Sequence, residues 1–344
     1  QIDEAGGAML RRKIEALGVV VHTSKNTLEI TAGESRHHRI VFADGETLET
    51  DLIVFSAGIR PRDELARACG LDVGPRGGIC IDNQCRTLDP SIYAIGECVT
   101  WNNQIFGLVA PGYQMAQVAA DHLVGQDAAF TGADMSTKLK LLGIDVASIG
   151  DAHAKLTGAS VYSFIDEPNG IYKKIVVSGR KLLGSVLVGE ANDYGTLLQY
   201  ALNGIDLPEH PEDLILPQRA GKSGAALGVN ALPDSALICS CNNVSKATLI
   251  GAVAEGCSIL SDLKRCTKAG TSCGGCGVLV GQVLNKELEK RGIKVNRDLC
   301  EHFPYSRQDL YLIVRAEKLT TFEELITRHG NGRGCDVCKP AVAS

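Results

Sequence analysis

The 344-residue chain lacks the signatures of several large classes of protein. It has no run approaching about 18 apolar residues, which argues against a membrane-spanning helix. It has no excess of basic residues, because its formal net charge is −5 and its isoelectric point is near 5.9. We therefore expect neither a nucleic-acid partner nor a membrane.

No signal peptide is visible in the sequence, and the cysteine pattern does not predict a disulfide framework. The chain begins at Gln1 without an initiator Met, a basic n-region or an apolar h-region. Its 13 cysteines are an odd number and cluster at spacings typical of metal sites, which favours a reducing compartment. We expect an internal part of a longer, cytoplasmic protein.

A third absence is the motif G-x-G-x-x-G, the turn that binds the phosphates of a dinucleotide. The composition is otherwise that of an ordinary globular protein, with 44% hydrophobic and 22% charged residues. The length predicts about two to four domains.

Cysteines in two close pairs are the most informative pattern in the chain. Cys239 and Cys241 are one residue apart, and Cys273 and Cys276 follow with two residues between them. Four thiolates in this arrangement can surround a small metal centre, and the glycine-rich flank of the second pair lets backbone N–H groups approach sulfur. Structural zinc is the competing interpretation, although zinc ribbons usually carry C-x-x-C at both ends.

This C-x-C…C-x-x-C order resembles the 2Fe–2S domain of bacterioferritin-associated ferredoxin. The resemblance covers about residues 237–292 and implies a small helical domain with Cys239, Cys241, Cys273 and Cys276 as cluster ligands. Four cations lie in the interval between the pairs and would ease reduction of the cluster if they are close to it; an ordinary solvated helix face is the alternative. They are Lys246, Lys264, Arg265 and Lys268.

Two upstream segments resemble the pyridine nucleotide–disulfide oxidoreductases. The segment DLIVFSAGIRPR (Asp51 to Arg62) resembles the strand and turn that close their nucleotide-binding domain. The segment from Gly77 to Thr100 resembles their second flavin motif. The resemblance implies that a strand over 92–96 delivers Glu97 to a ribitol hydroxyl of FAD, and that Gly96 lets the backbone approach the flavin phosphate. Most of the superfamily has Asp at this position, and a core strand ending in a surface acid is the alternative.

The expected fold class is α/β, with partial FAD- and NAD(P)-binding Rossmann-like domains, an α+β interface domain and a small helical 2Fe–2S domain. We expect helices over 4–18 and 110–125, strands over 19–23 and 52–55, and a hairpin around Asp44-Gly45. The strands after residue 126 resemble the interface domain of flavin-dependent ferredoxin and rubredoxin reductases, and their low charge predicts burial, for which a homodimer is one explanation. The expected segments are the second half of the NAD(P)-binding domain (1–60), the last part of the FAD-binding domain (61–125), the interface domain (126–217), a linker (218–235), the 2Fe–2S domain (236–292) and a second, degenerate copy of it (297–344).

The second copy is inferred from a repeated spacing. Cys300 and His302 are one residue apart, and Cys335 and Cys338 follow with two residues between them. The two pairs are separated by 32 residues, against 31 in the first copy, and Ser306 occupies the place of the helix N-cap. The unit could hold a cluster or zinc, or it could have lost its metal and dock a neighbouring domain. The docking interpretation is favoured, because one substituted ligand usually weakens a cluster site.

The flavin motif, the iron–sulfur motif and then the segment CEHFPYSRQDL…RHGNGRGCDVCKPAVAS, in this order, resemble the large subunit of NAD(P)H-dependent nitrite reductase. That family implies reduction of nitrite to ammonium with NAD(P)H, FAD, a 2Fe–2S cluster, siroheme and a 4Fe–4S cluster, together with a small subunit. The siroheme motif C-x5-C…C-x3-C does not occur here. The chain would therefore be the electron-input part. The alternatives are the electron-transfer subunit of an assimilatory nitrate reductase, against which the segment from Cys300 to Ser344 argues, and a zinc-stapled interaction protein.

Overall fold

A computed structural model describes residues 2–217, 228–272, 274–293 and 298–343. Cys273, one of the four predicted ligands, lies outside the described residues, as does the first part of the predicted linker, 218–227. The chain divides into two compact units, residues 1–283 and 284–344.

Ten helices and thirteen strands are formed by the described residues. The helices are α1 (Glu4–Glu15), α2 (Glu64–Ala68), α3 (Val109–Leu123), α4 (Tyr194–Leu202), α5 (Lys246–Ala254), α6 (Leu260–Thr267), α7 (Gly277–Lys290), α8 (Arg307–Glu317), α9 (Phe322–His329) and α10 (Cys338–Ala343). The strands are β1 (Thr27–Ala32), β2 (His38–Phe42), β3 (Thr47–Thr50), β4 (Ile79–Cys80), β5 (Val99–Trp101), β6 (Gln104–Ile105), β7 (Thr137–Leu141), β8 (Ile144–Gly150), β9 (Ser160–Asp166), β10 (Ile171–Ser178), β11 (Lys181–Gly189), β12 (Leu237–Cys239) and β13 (Val244–Ser245). Within these residues, no helix is both long and apolar enough to cross a membrane.

The predicted hairpin at Asp44-Gly45 is present, and three predicted strands are not. Strands β1, β2 and β3 form an antiparallel sheet whose β2–β3 turn contains Gly45 at a φ of +86°. The segments 19–23, 52–55 and 92–96 were expected as strands and form none. Val20 and Phe55 are 75% and 77% exposed. An apolar strand needs a neighbouring backbone along its length. Among the described residues, 19–23 and 52–55 form no β-bridge, and 92–96 forms only an isolated bridge between Tyr93 and Arg86.

A second small core lies around α3. Strand β5 pairs parallel with β4 and antiparallel with β6. Phe106 and Met115 are fully buried there, and the Phe130 ring packs edge-on against Phe106 with centroids 5.5 Å apart. This core holds α3 and the turn at Gly96 in one small body.

The antiparallel sheet β7-β8-β11-β10-β9 is covered by helices on both faces. Leu187 on one face packs in a buried cluster with Leu197 of α4. Val186 and Val188, which point to the opposite face, cluster with Met9 of α1. The burial expected for these strands is thus provided by helices of the chain itself, and it is not by itself an indication of a dimer.

A buried ion pair attaches the start of α1 to β10. The Asp3 carboxylate accepts hydrogen bonds from Lys174 Nζ and Tyr172 Oη, both at 2.7 Å, and from the Gly6 amide at 3.0 Å. Burial opposes ionisation of Asp3, but these hydrogen bonds outweigh it, so the pKa of Asp3 is lowered from its ordinary 3.8. Since the Lys174 side chain is only 8% exposed, it depends on this carboxylate for its charge partner.

Substituting Asp3→Asn is expected to lower the free energy of unfolding by about 3 kcal/mol at neutral pH, because Lys174 is left buried without a counter-charge. A carboxyl whose pKa is lowered on folding stabilises above its unfolded pKa and loses that contribution as the pH falls through the folded value. The difference between wild type and variant should therefore shrink in acid. Urea unfolding at several pH values measures it.

The matched control is Asp206→Asn, because Asp206 pairs with Lys181 at 2.7 Å on the surface with half of its side chain exposed. Its effect should be small at every pH, since exposed ion pairs contribute little. Equal losses for both variants would show that the Asp3 pair is no more important than a surface pair.

Candidate iron–sulfur site

The first pair of predicted ligands lies on a tight turn between two short strands. Cys239 is the last residue of β12, and Cys241 lies in the turn that leads to β13. Their exposed fractions are 2% and 4%. Asn243 completes the turn in the left-handed region at a φ of 49°, a conformation that Asn tolerates better than most residues. The alternation C-x-C thus places two thiols at the buried end of one turn.

Cys276 reaches this turn from the far end of the segment. Hydrogen bonds involving the Cys241 and Cys276 thiols lower the pKa of Cys239 to about 2, and the backbone N–H groups of Gly270 and Asn242 act in the same direction against the effect of burial. The structure therefore brings together three of the four predicted ligands, the fourth being Cys273, which is outside the described residues. The hydrogen bonds that Cys239 accepts favour its thiolate, the form of cysteine that binds metal.

Asn242 joins the two halves of the site. Its side-chain Nδ2 lies 3.7 Å from Cys239 Sγ, 2.8 Å from the carbonyl oxygen of Lys268 and 3.0 Å from Ser272 Oγ. The Lys268 residue ends α6 in the left-handed conformation, with a φ of 62°. Sequence reasoning missed Asn242, although a side-chain amide next to a C-x-C pair can donate to cysteine sulfur.

Three of the four predicted cations have different surroundings in the structure. Lys264 lies beside the glycines that flank Cys276: a Cβ added at Gly270 would be 3.4 Å from its Cε, and one added at Gly277 would be 3.8 Å from its Nζ. Lys246 is buried and donates to the carbonyl oxygen of Leu232 at 2.6 Å. Arg265 pairs with Asp262 at 3.0 Å. Lys264 is thus placed to offset negative charge at the site, whereas Lys246 has a structural role.

Glycine keeps the space beside Cys276 open. Gly270 has a φ of +72°, and a Cβ there would lie 3.7 Å from Cys276 Sγ. Clustered thiols, backbone donors aimed at sulfur and a neighbouring ammonium group together fit a 2Fe–2S centre. Cys257 and Cys266 match no ligand position and lie next to each other, with their sulfur atoms 3.4 Å apart.

Two side chains attach the cysteine turn to preceding parts of the chain. Gln114 on α3 donates from Nε2 to the carbonyl oxygen of Ser240, the residue between the two cysteines, at 2.8 Å. Asn203, which follows α4, accepts from the Leu237 backbone N–H at 2.6 Å. Neither contact has a sequence signal, because 126 and 34 residues separate the partners.

The predicted flavin residues lie at the start of α3. Gly96 has a φ of +86° and begins a 3₁₀ turn over Gly96–Cys98, and Glu97 is exposed in that turn. The Gly96 N–H points at Met115 Sδ, 3.3 Å away, and a Cβ on Gly112 would stand 3.1 Å from Gly96 Cα. An exposed acid beside a helix N-terminus that has no side-chain cap fits one end of a dinucleotide site.

In the second unit, the residues of the repeated motif also converge. Cys300, His302, Cys335 and Cys338 each offer a ligand atom, and these atoms all lie within 4.8 Å of one another. Backbone N–H groups of Cys338 and Val337 lower the pKa of Cys335 to about 7. Ser306 caps α8, as expected from the sequence.

Three protein-family models match the chain in sequence order. They are the pyridine nucleotide-disulphide oxidoreductase family over residues 1–122, the rubredoxin NAD+ reductase C-terminal domain over 136–204 and the BFD-like [2Fe-2S] binding domain over 237–286. The last match contains the convergent cysteines. The expected 2Fe–2S-type domain is therefore present.

Curated relatives align with the whole chain. The large subunit of nitrite reductase (NADH) from Escherichia coli K12 is 60% identical over 100% of this chain, which spans 41% of that protein. The large subunit of nitrite reductase [NAD(P)H] from Klebsiella oxytoca is 58% identical, and the chain spans 36% of it. Large subunits of NAD(P)H nitrite reductase are thus close homologues of this chain. The chain corresponds to about two fifths of their length.

A third relative corrects one expectation. The assimilatory nitrate reductase electron transfer subunit of Bacillus subtilis is 32% identical over 99% of the chain, which spans 44% of it. The alignment includes nearly all of the segment from Cys300 to Ser344. That segment was expected to argue against a nitrate reductase subunit, and it does not discriminate, because the alignment includes it.

The fold class is confirmed by a solved structure. LpdA from Mycobacterium tuberculosis matches 66% of this chain and 52% of its own, with a TM-score of 0.50 and 17% identity. This likeness concerns the fold alone. Together with the family matches, it supports the expected α/β class with Rossmann-like parts.

The Gln114 tether can be tested with a neighbour on the same helix. Gln114→Ala removes the donor to Ser240, and we expect about 1 kcal/mol less stability and faster hydrogen exchange in residues 239–243. Gln117→Ala is the control, because Gln117 is exposed and bonds to Asp121 of α3 itself. Hydrogen exchange followed by mass spectrometry measures both; equal exchange in the two variants would contradict a tethering role for Gln114.

Proposed function

We propose that this chain is the electron-input part of an NAD(P)H-dependent nitrite reductase, which reduces nitrite to ammonium. In this proposal, electrons from NAD(P)H pass by way of FAD and a 2Fe–2S cluster toward a siroheme and 4Fe–4S domain outside the chain. The observation that carries the proposal is the convergence of Cys239, Cys241 and Cys276 inside the segment that matches the [2Fe-2S] binding family.

The proposed ligands of the cluster are Cys239, Cys241, Cys273 and Cys276. Hydride acceptance by a flavin and single-electron transfer by an iron–sulfur cluster are chemistry that the cofactors supply. The protein contributes position and charge: the turn at Cys239 buries two cysteine side chains, Asn242 donates toward sulfur, and Lys264 offsets negative charge. The Gln114 tether supports close placement of this turn beside α3.

For FAD, we propose Gly96 and Glu97 as contributors. The exposed Glu97 carboxylate would accept a hydrogen bond from a ribitol hydroxyl, and the left-handed Gly96 would let the backbone approach a phosphate. The start of α3 presents backbone N–H groups beside this turn, where negative charge is favoured. The phosphate-binding turns that complete such a site are not in this sequence.

The partners proposed are the nitrite reductase small subunit and the siroheme domain, in line with the names of the large-subunit relatives. We also propose the domain limits given above, a homodimer as the assembly to test and a cytoplasmic location, where thiols remain reduced. A role as the electron-transfer subunit of assimilatory nitrate reductase is the second candidate, favoured by the Bacillus subtilis relative. Pairing the chain with each terminal reductase and measuring NAD(P)H-dependent turnover separates the two.

Metal analysis of the chain purified without oxygen tests the cluster. We expect about two irons and two sulfides per chain at this site, with an electron paramagnetic resonance signal on reduction that is lost in Cys239→Ser. Cys69→Ser is the matched control, because Cys69 is exposed and belongs to neither cysteine cluster. Zinc in place of iron, lost on the same Cys239→Ser substitution, would instead support the zinc-stapled interaction protein.

The donor from Asn242 is expected to tune the reduction potential. Asn242→Leu removes a hydrogen bond to Cys239 Sγ that favours the reduced, more negative state. The loss of about 1 kcal/mol corresponds to about 40 mV for a one-electron couple, so the potential should fall by that order. A redox titration followed by paramagnetic resonance measures the shift.

Ser272→Ala is the matched control, because it removes a partner of Asn242 and leaves the donor to sulfur in place. Its potential should stay close to wild type. Equal shifts in the two variants would assign the effect to loosening of the turn rather than to the hydrogen bond.

A further inference from the structure

The second unit contains a set of metal-binding side chains outside the matched [2Fe-2S] segment, which ends at residue 286. Cys300 and His302 lie on a tight turn in which the Phe303 N–H donates to the carbonyl oxygen of Cys300 at 3.1 Å. Cys335 precedes α10, and Cys338 is the first residue of that helix. The two pairs come from opposite ends of the unit and meet at one place.

The separations within the set are those of ligands around a single ion. Cys300 Sγ and His302 Nδ1 are 3.7 Å apart, and the sulfur atoms of Cys335 and Cys338 are 3.8 Å apart. All four ligand atoms lie within 4.8 Å of one another. A tetrahedral zinc ion with bonds of about 2.3 Å to sulfur separates two thiolates by about 3.8 Å. A binuclear cluster would place the two pairs further apart, because each pair binds its own iron.

A glycine-rich turn holds the histidine in its place. Gly332 has a φ of +72°, and a Cβ there would lie 3.2 Å from His302 Cδ2 and 3.7 Å from its Nε2. The Asn331 N–H donates to the carbonyl oxygen of His302 at 2.8 Å. The Nε2 edge of the ring therefore faces the turn, and the Nδ1 edge faces Cys300 Sγ. This orientation makes Nδ1 the ligand atom and leaves the proton on Nε2.

The same turn closes over the cysteine pair. A Cβ on Gly334, whose φ is +76°, would lie 3.2 Å from Cys338 Sγ and 2.5 Å from Phe322 Cζ. The Cys335 N–H points at Cys338 Sγ at 3.1 Å. Cys338 is fully buried and belongs to the core that contains Phe303, Leu310 and Leu325. The thiols thus lie against a packed core.

We propose that Cys300, His302, Cys335 and Cys338 bind one tetrahedral zinc ion. The set of three thiolates and one imidazole is a common structural zinc site, and it fills the coordination sphere without an open position for substrate. The ion fastens the turn at Cys300 to the start of α10. The second unit is small, with a correspondingly small core, so a metal that binds only the folded form stabilises it directly. This site replaces the metal-free docking role expected from the sequence and does not depend on the proposed function.

The first experiment is metal analysis of the full 344-residue chain produced in medium containing zinc. We expect about one zinc per chain in addition to the iron. Cys335→Ser and Cys338→Ser should lose the zinc and keep the iron, whereas Cys239→Ser should lose the iron and keep the zinc. Cys69→Ser should keep both. If the electron-transfer proposal is wrong, the measured iron content per chain will differ from the expected two. If the zinc proposal is wrong, the measured zinc content will differ from the expected one.

A second measurement uses the wild-type chain, so that it tests the proposal even if the cysteine variants do not fold. Cobalt(II) added to the wild-type chain after removal of zinc should give the absorption bands of a tetrahedral ion with thiolate ligands, and zinc should displace it. His302→Cys should still bind one ion with an altered cobalt spectrum, because four thiolates also suit zinc. Four irons per chain, two of them lost in Cys335→Ser, would overturn the proposal, as would zinc retained in that variant or an absence of zinc and cobalt binding.

Discussion

The gathering of cysteine sulfur atoms around Cys239 is the constraint on which the rest of the first unit's site depends. Negative groups a few ångströms apart repel one another, so they remain together only when metal, protons or directed donors compensate their charge. The site meets this constraint locally: backbone N–H groups of Gly270 and Asn242 donate to Cys239, and Lys264 lies beside the glycines that flank Cys276. Each of these features is explained by the negative charge that clustered cysteine sulfur atoms carry when ionised.

The position of the cysteine turn is set by contacts from elsewhere in the chain. Gln114 attaches the turn to α3, and Asn203 attaches its first strand to the end of α4. Both contacts involve backbone atoms within two residues of Cys239, so they hold the turn without competing for the sulfur atoms. The Gly96 turn also packs against α3, at Gly112. The same helix therefore contacts both the proposed flavin residues and the proposed cluster turn.

The two copies of the cysteine motif show how one substitution changes the chemistry expected of a repeated unit. Both have a short turn, two helices, a C-x-x-C pair and a final helix. In the second copy, His302 replaces a thiolate, and the four donor atoms fall within 4.8 Å of one another. A neutral imidazole lowers the charge of the set and suits a single ion. We infer that the two copies serve different purposes, electron transfer in one and stability in the other.

Local signals in the sequence were sufficient for several features. The spacing of the cysteines predicted which thiols come together, and Ser306 was predicted as a helix N-cap, because a cap depends on neighbouring residues. The antiparallel strands after residue 136 were also predicted, since their turns lie between adjacent segments. In each case the interacting residues are close in sequence.

Other features depended on residues far apart in the chain. The segments 19–23 and 52–55 have strand-like sequences but form no β-bridge among the described residues, and 92–96 forms only an isolated bridge to Arg86. A strand needs a neighbour along its length. The Asp3–Lys174 pair spans 171 residues, and the Gln114–Ser240 contact spans 126. The sequence by itself determined which side chains can bind metal. Only the tertiary structure decided that Cys300, His302, Cys335 and Cys338 meet, because their distances depend on how two helices fold back between the pairs.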